Sequence, residues 1–241
     1  MNREYYQWHS KYLDRNMELL IFGQSGARVL VFPTRVGRYF DFENWRLVDA
    51  LGDHIRNGWV QLFCVDSIDG ESWYNDWADP RGRVERHLNY ERYIIEEVLP
   101  LTRYKNPDMS MIALGCSFGA FHAMNIALRH PKHFGRVIAL SGRYDVTLNV
   151  DDFRNLMDGY YDEDVYLNNP SHFLPNADGD YLAQLRELEV TIAVGEHDPF
   201  VHNNHEFSEI LGNKGIPHRL DIWPGRAHRA RFWRQMLPHY V

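Results

Sequence analysis

The sequence predicts an α/β fold built on a mostly parallel central sheet with helices on both faces. Two observations carry this. Short β-prone runs alternate with segments of helical period for most of the chain, the pattern of right-handed βαβ crossovers. Most of the later runs are apolar almost throughout, which suits strands covered on both faces rather than half-exposed antiparallel ones.

Seven strands are expected: Met17–Phe22, Arg28–Pro33, Trp59–Asp66, Met109–Gly115, Arg136–Gly142, Val190–Gly195 and His218–Pro224. The first two, joined by "GQSGAR", read as an antiparallel hairpin at one edge. Helical periodicity falls on Asn44–Gly58, Arg83–Lys105, Ala120–His130, Glu206–Gly215 and Arg229–Tyr240. In the second of these, Leu88, Tyr90, Tyr93, Ile94, Val98 and Leu101 form an apolar stripe between charges. Residues 146–189 break the alternation with prolines, acids and aromatics but no strand. They read as a short insertion before the next-to-last strand, partly covering the carboxyl edge of the sheet, within a single domain spanning residues 1–241.

Composition sets bounds. The chain has 241 residues, long enough for one domain with a substantial core. Its net charge of -7, with both signs interspersed, argues against nucleic acid or an anionic membrane as partner. The apolar runs are strand-sized, too short to cross a bilayer. The opening "MNREYYQWHS" lacks the apolar centre of a secretory signal, so a cytoplasmic location is expected. Cys64 and Cys116 both fall in or beside buried strands and read as free thiols. The aromatic surplus permits a homodimer without requiring one.

Sites in open α/β sheets lie at the carboxyl ends of the strands. Three features fall there in chain order: "GCSFG" (115–119), "GEHDPF" (195–200) and "PGRAHRARFW" (224–233). A serine between glycines, leaving a strand and entering a helix, is positioned as a nucleophile, and the order Ser, Asp, His is that of α/β-hydrolases. Ser117 needs a base, because a free hydroxyl is a weak nucleophile at neutral pH. Among thirteen histidines, His228 is the candidate, since it lies in a Gly- and Pro-flanked loop after the last strand. His122 should point along its helix away from the serine. Asp198 would orient the imidazole, with Asp145 as the rival acid and Asp221 less suited inside a strand. The backbone N–H groups of Phe118 and of Arg35, or else Thr34, would form an oxyanion hole, with Gly37 letting that loop turn close to the substrate. Trp73, Tyr74 and Trp77 would wall one side of the site and Tyr160 and Tyr161 the other.

The chain resembles the esterase D branch of the α/β-hydrolases nearly end to end. The resemblance lies in "VFPT" with a following glycine, "DSIDGESWYN", "GCSFGAFHAMNIALRHP", "VIALSGRYD", "GEHDPF" and "KGIPHRLDIWPGRAH". It implies that Ser117, Asp198 and His228 are nucleophile, acid and base, with no metal or organic cofactor. The expected activity is serine carboxylesterase on small to medium soluble esters, through an acyl-enzyme on Ser117. Acyl transfer by the same triad, or a non-catalytic binding protein on this fold, are the alternatives. Two departures stand out. Relatives commonly have serine where this chain has Arg35, and often Asp-Trp where it has Arg229-Ala230. Arg35, Arg38, Arg226 and Arg229 would ring the mouth with positive charge and favour an acidic or phosphorylated substrate.

Overall fold

The computed structural model describes residues 1–241 and contains one eight-stranded sheet. The strands are β1 (Arg3–Ser10), β2 (Arg15–Phe22), β3 (Ala27–Phe32), β4 (Val60–Val65), β5 (Met111–Cys116), β6 (Arg136–Leu140), β7 (Glu189–Gly195) and β8 (His218–Trp223). Their spatial order is β1-β2-β4-β3-β5-β6-β7-β8. β4, β3, β5, β6, β7 and β8 run parallel, and β2 alone runs against them, pairing antiparallel with both β1 and β4.

The inner strands β4 and β5 are buried at every residue, as their unbroken apolar sequences require. Alternate residues feed two cores. Leu30 and Phe32 point into the larger cluster, under the helices Pro80–Tyr93, Phe118–Arg129 and Val201–Asn213, while Val29 and Val31 join the smaller one under Ala230–Tyr240. No helix is long and apolar enough to cross a membrane.

Two expectations about the amino-terminal edge need correction. β1 was not expected as a strand, and β2 does not pair with β3. β2 pairs with β1 on one side and β4 on the other, so β4 lies between the two strands expected to form a hairpin. β2 is buried along its second half and needs a partner on each side, whereas β1 alternates exposed and half-buried residues as an edge strand does. The long helix over residues 83–105 is also interrupted: Ile94–Val98 forms a π-turn just ahead of Pro100. Proline there has no N–H for the ladder and crowds the carbonyl one turn earlier.

The segment between β6 and β7 holds short helices at Glu163–Leu167, Pro170–Phe173 and Gly179–Leu185. Its Leu156, Met157 and Val165 pack with Trp73, Val84, Phe118 and Phe121 into a third apolar cluster, beside the carboxyl edge of β5.

Candidate active site

The sharp turn at the end of β5 follows from its glycines. A Cβ on Gly115 would lie 2.0 Å from the carbonyl oxygen of Gly119, and a Cβ on Gly119 would lie 2.4 Å from that of Phe32. Strand, helix and the loop after β3 therefore meet at backbone distance only because neither position has a side chain. Ser117 sits between them at φ 56, ψ -124, a strained conformation for a non-glycine residue. The helix that follows starts at Phe118.

His228 arrives from the loop after β8. That loop is fastened to the one after β7: Gly225 N–H donates to Glu196 Oε1 at 2.8 Å, and His197 N–H donates to the Gly225 carbonyl at 3.1 Å. A Cβ on Gly195 would meet the carbonyl oxygen of Arg226 at 2.2 Å, so this close approach also depends on glycine. The result is a continuous hydrogen-bonded chain. His228 Nε2 lies 2.9 Å from Ser117 Oγ, and His228 Nδ1 lies 2.7 Å from Asp198 Oδ2. The Asp198 side chain is fully buried, and its second oxygen accepts the Phe200 N–H at 3.0 Å. The edge of the imidazole rests on Trp233, whose indole N–H donates to Ser141 Oγ at 3.1 Å.

Ser117 and His228 open into a cleft of about 370 Å³. Its wall includes Thr34, Arg35, Trp45, Tyr74, Phe118, Ser141, Arg143, Phe153, Phe200 and Trp233. Phe118 N–H, first in its helix, has no intrahelical acceptor, and Arg35 N–H makes no backbone hydrogen bond. Both are free to donate to a developing oxyanion. The Arg35 loop is held from below: Gly37 N–H closes a turn onto the Thr34 carbonyl at 2.8 Å, and Val36 N–H donates to Asp69 Oδ2 at 3.0 Å. Burial pushes the Tyr74 phenol up to about 12, although the neighbouring Arg143 and Arg35 charges pull it down. No group of three or more His, Cys, Asp or Glu is arranged to hold a metal ion.

Several expected wall residues lie elsewhere. Trp73 is completely buried against His87 and Phe121 beneath the surface, because the neighbouring Tyr74 takes the cleft-facing side. Trp77 is almost fully exposed. Arg38 is held by Glu18 at 2.6 Å and Asp66 at 2.7 Å, away from the cleft. The Tyr160 hydroxyl donates to Asp162 and the Tyr161 hydroxyl pairs with His172, and neither residue reaches the cleft wall. Arg226 and Arg229 do not line it either.

The rival acid, Asp145, is occupied by Thr147, Asn169 and His172. Burial alone would raise its carboxyl, but hydrogen bonds from His172, Thr147 and Asn169 outweigh that and hold it well below the usual carboxylate range. His122 does turn away from Ser117, to Asp69 at 2.8 Å. Trp45, Ser141, Arg143, Phe153, Phe200 and Trp233 went unrecognised in the sequence. Ser141 and Arg143 in "SGRYD", Phe200 in "GEHDPF" and Trp233 in "PGRAHRARFW" carried a local signal, each in a segment that follows a strand at the carboxyl edge, whereas Trp45 and Phe153 carried none.

An elbow serine, a histidine after the last strand and an acid after the one before define an α/β-hydrolase. Residues 39–240 match the family described as "Putative esterase". The chain belongs to that family and is a serine ester hydrolase. No curated protein matches the sequence. Among solved structures, a ferulic acid esterase superposes with TM-score 0.77 at 17% identity, covering 99% of this chain and 95% of its own. The S-formylglutathione hydrolase of Agrobacterium tumefaciens gives TM-score 0.74 at 16% identity, covering 98% and 92%. The fluorophosphonate-binding serine hydrolase FphF of Staphylococcus aureus gives 0.71 at 15%, covering 99% and 96%. At such identities these likenesses establish the shared fold.

Proposed function

We propose that the protein is a carboxylesterase that hydrolyses small to medium soluble esters through an acyl-enzyme on Ser117. The observation that carries this reading is the unbroken Ser117–His228–Asp198 chain, at 2.9 and 2.7 Å, opening onto a cleft. His228 Nε2 takes the hydroxyl proton as Ser117 Oγ attacks the ester carbonyl carbon, and Asp198 stabilises the imidazolium through Nδ1–H. The negative charge gathering on the carbonyl oxygen meets the N–H groups of Phe118 and Arg35. Each such donor is typically worth about 3 kcal/mol of barrier. The carbon–oxygen bond to the alcohol then breaks, and the alcohol leaves with the proton from His228. Water, deprotonated by the same nitrogen, frees the acid and restores Ser117.

A cleft of about 370 Å³ suits ligands of modest size. We read the location as cytoplasmic, because both cysteines are free and buried, as suits a reducing compartment. The test is hydrolysis of 4-nitrophenyl butyrate by wild type and Ser117→Ala. The variant should fold normally and lose turnover by roughly a millionfold. Activity persisting in it would refute the mechanism.

A further inference from the structure

The cleft wall contains a guanidinium, that of Arg143, with no carboxylate in ion-pair contact. Arg143 is only 3% exposed. Its Nε donates to the Asp145 carbonyl at 3.0 Å, and its Nη2 shares its two hydrogens among the carbonyls of Val146, Leu148 and Arg154 at 3.0, 2.9 and 3.1 Å. Those contacts clamp the guanidinium through Nε and Nη2, while Nη1 bonds to no carbonyl or carboxylate; the Tyr74 hydroxyl and the Phe200 ring, 5.4 Å away, are its neighbours in the cleft wall. The nearest carboxylate in sequence, Asp145, is committed to Thr147, Asn169 and His172. Arg35 adds a second unpaired guanidinium, which lies 5.5 Å from the centre of the Tyr74 ring. No Asp or Glu lines the cleft.

A buried charge without a counter-ion is costly to keep. A guanidinium fixed by its other nitrogens presents a preorganised donor suited to a planar carboxylate. We propose that this cleft selects esters carrying a second group that is a carboxylate, which binds Arg143 Nη1 and the Arg35 guanidinium while the ester lies on Ser117. This rests on the esterase reading above for the placement of the ester. The anion site itself stands on the arginines alone.

The two readings are tested separately. Binding is measured on Ser117→Ala protein, by quenching of the cleft tryptophans Trp45 and Trp233, with monoethyl succinate and with its neutral counterpart diethyl succinate. The monoester should bind at least about tenfold more tightly at low ionic strength, and 0.5 M salt should erode that preference severalfold. Arg35→Gln, placed in the same background, should reduce the preference by roughly fivefold. Arg143→Lys should reduce it further, because a lysine cannot keep the four carbonyl bonds and also offer a fixed donor. Equal binding of the two succinates, or a preference indifferent to salt and to Arg35→Gln, overturns the proposal. Turnover of 4-nitrophenyl hydrogen succinate against 4-nitrophenyl butyrate gives the kinetic counterpart. If wild type cleaves neither ester, the esterase reading fails, while the succinate titrations still decide the anion site.

Discussion

Two imidazole–carboxylate pairs lie close to the elbow serine, and they differ in what the rest of each pair touches. His228 and Asp198 meet at 2.7 Å, His122 and Asp69 at 2.8 Å. His228 has its other ring nitrogen on the Ser117 hydroxyl and remains partly exposed in the cleft. His122 is sealed among Phe118, Phe121 and Tyr90, and its acid is equally buried. The second oxygen of Asp69 accepts Val36 N–H, next to Arg35. In the mechanism proposed above the first pair moves a proton, while the second ties the loop of Arg35 to the helix that starts at Phe118. Both carboxylates also accept a backbone N–H, so what separates the pairs is the hydroxyl on the second ring nitrogen of His228 and the burial of His122.

The sharpest way to break this comparison is to remove each imidazole in turn. His228→Ala should lower turnover on 4-nitrophenyl butyrate by about five to six orders of magnitude, with little change in urea-unfolding stability. His122→Ala should do the reverse, costing roughly 3 kcal/mol by stranding the buried Asp69 carboxylate and opening a cavity. Comparable kinetic losses from both would erase the distinction.

Asp69→Ala reaches the oxyanion loop without touching substrate. Freed from its anchor, Val36, at φ 53, would relax and move the Arg35 N–H, which should cost about a hundredfold in kcat with KM little altered. A purely structural role would lower stability and leave kcat of the folded protein intact.

The sealed side also carries an acid-sensitive group. Burial holds His87 neutral down to about pH 3, against an ordinary value of 6.5. Between those values the unfolded chain binds a proton that the folded one refuses, so stability should fall as the pH is lowered through that window. The slope contributed by this residue is on the order of 1 kcal/mol per pH unit. His87→Phe should flatten the urea-unfolding stability curve between pH 6 and 4. An unchanged slope would remove His87 from the account. Smallest of all, Trp77→Ala should change neither stability nor KM beyond experimental scatter, since the side chain is almost fully exposed.

Much of this arrangement was legible before folding. The strands from β3 to β7 announced themselves because burial on both faces requires continuous apolar runs, whereas β8, an edge strand with no fully buried residue, was read from its place before the last loop and helix. β1 did not, because an edge strand with one wet face mixes Glu and Arg with Tyr and Trp and reads as irregular. Ser117 was legible because its constraint is local: two glycines permit one corner. Asp198 and His228 followed from their places after the last two strands. The wall was harder to read. Trp73 and Tyr74 are neighbours, yet one is entombed and the other faces the cleft.

The sequence by itself determined the parallel sheet, the elbow and the order of the reactive groups, since each depends on backbone sterics or on burial that neighbouring residues already encode. Only the tertiary structure decided that β4 would part β2 from β3, that Arg38 would be consumed by Glu18 and Asp66, and that Arg143 would stand in the cleft without an ion-pair partner. Those outcomes depend on which distant groups arrive as partners. A charge is silent or active according to whether a counter-ion reaches it, and no local pattern records that.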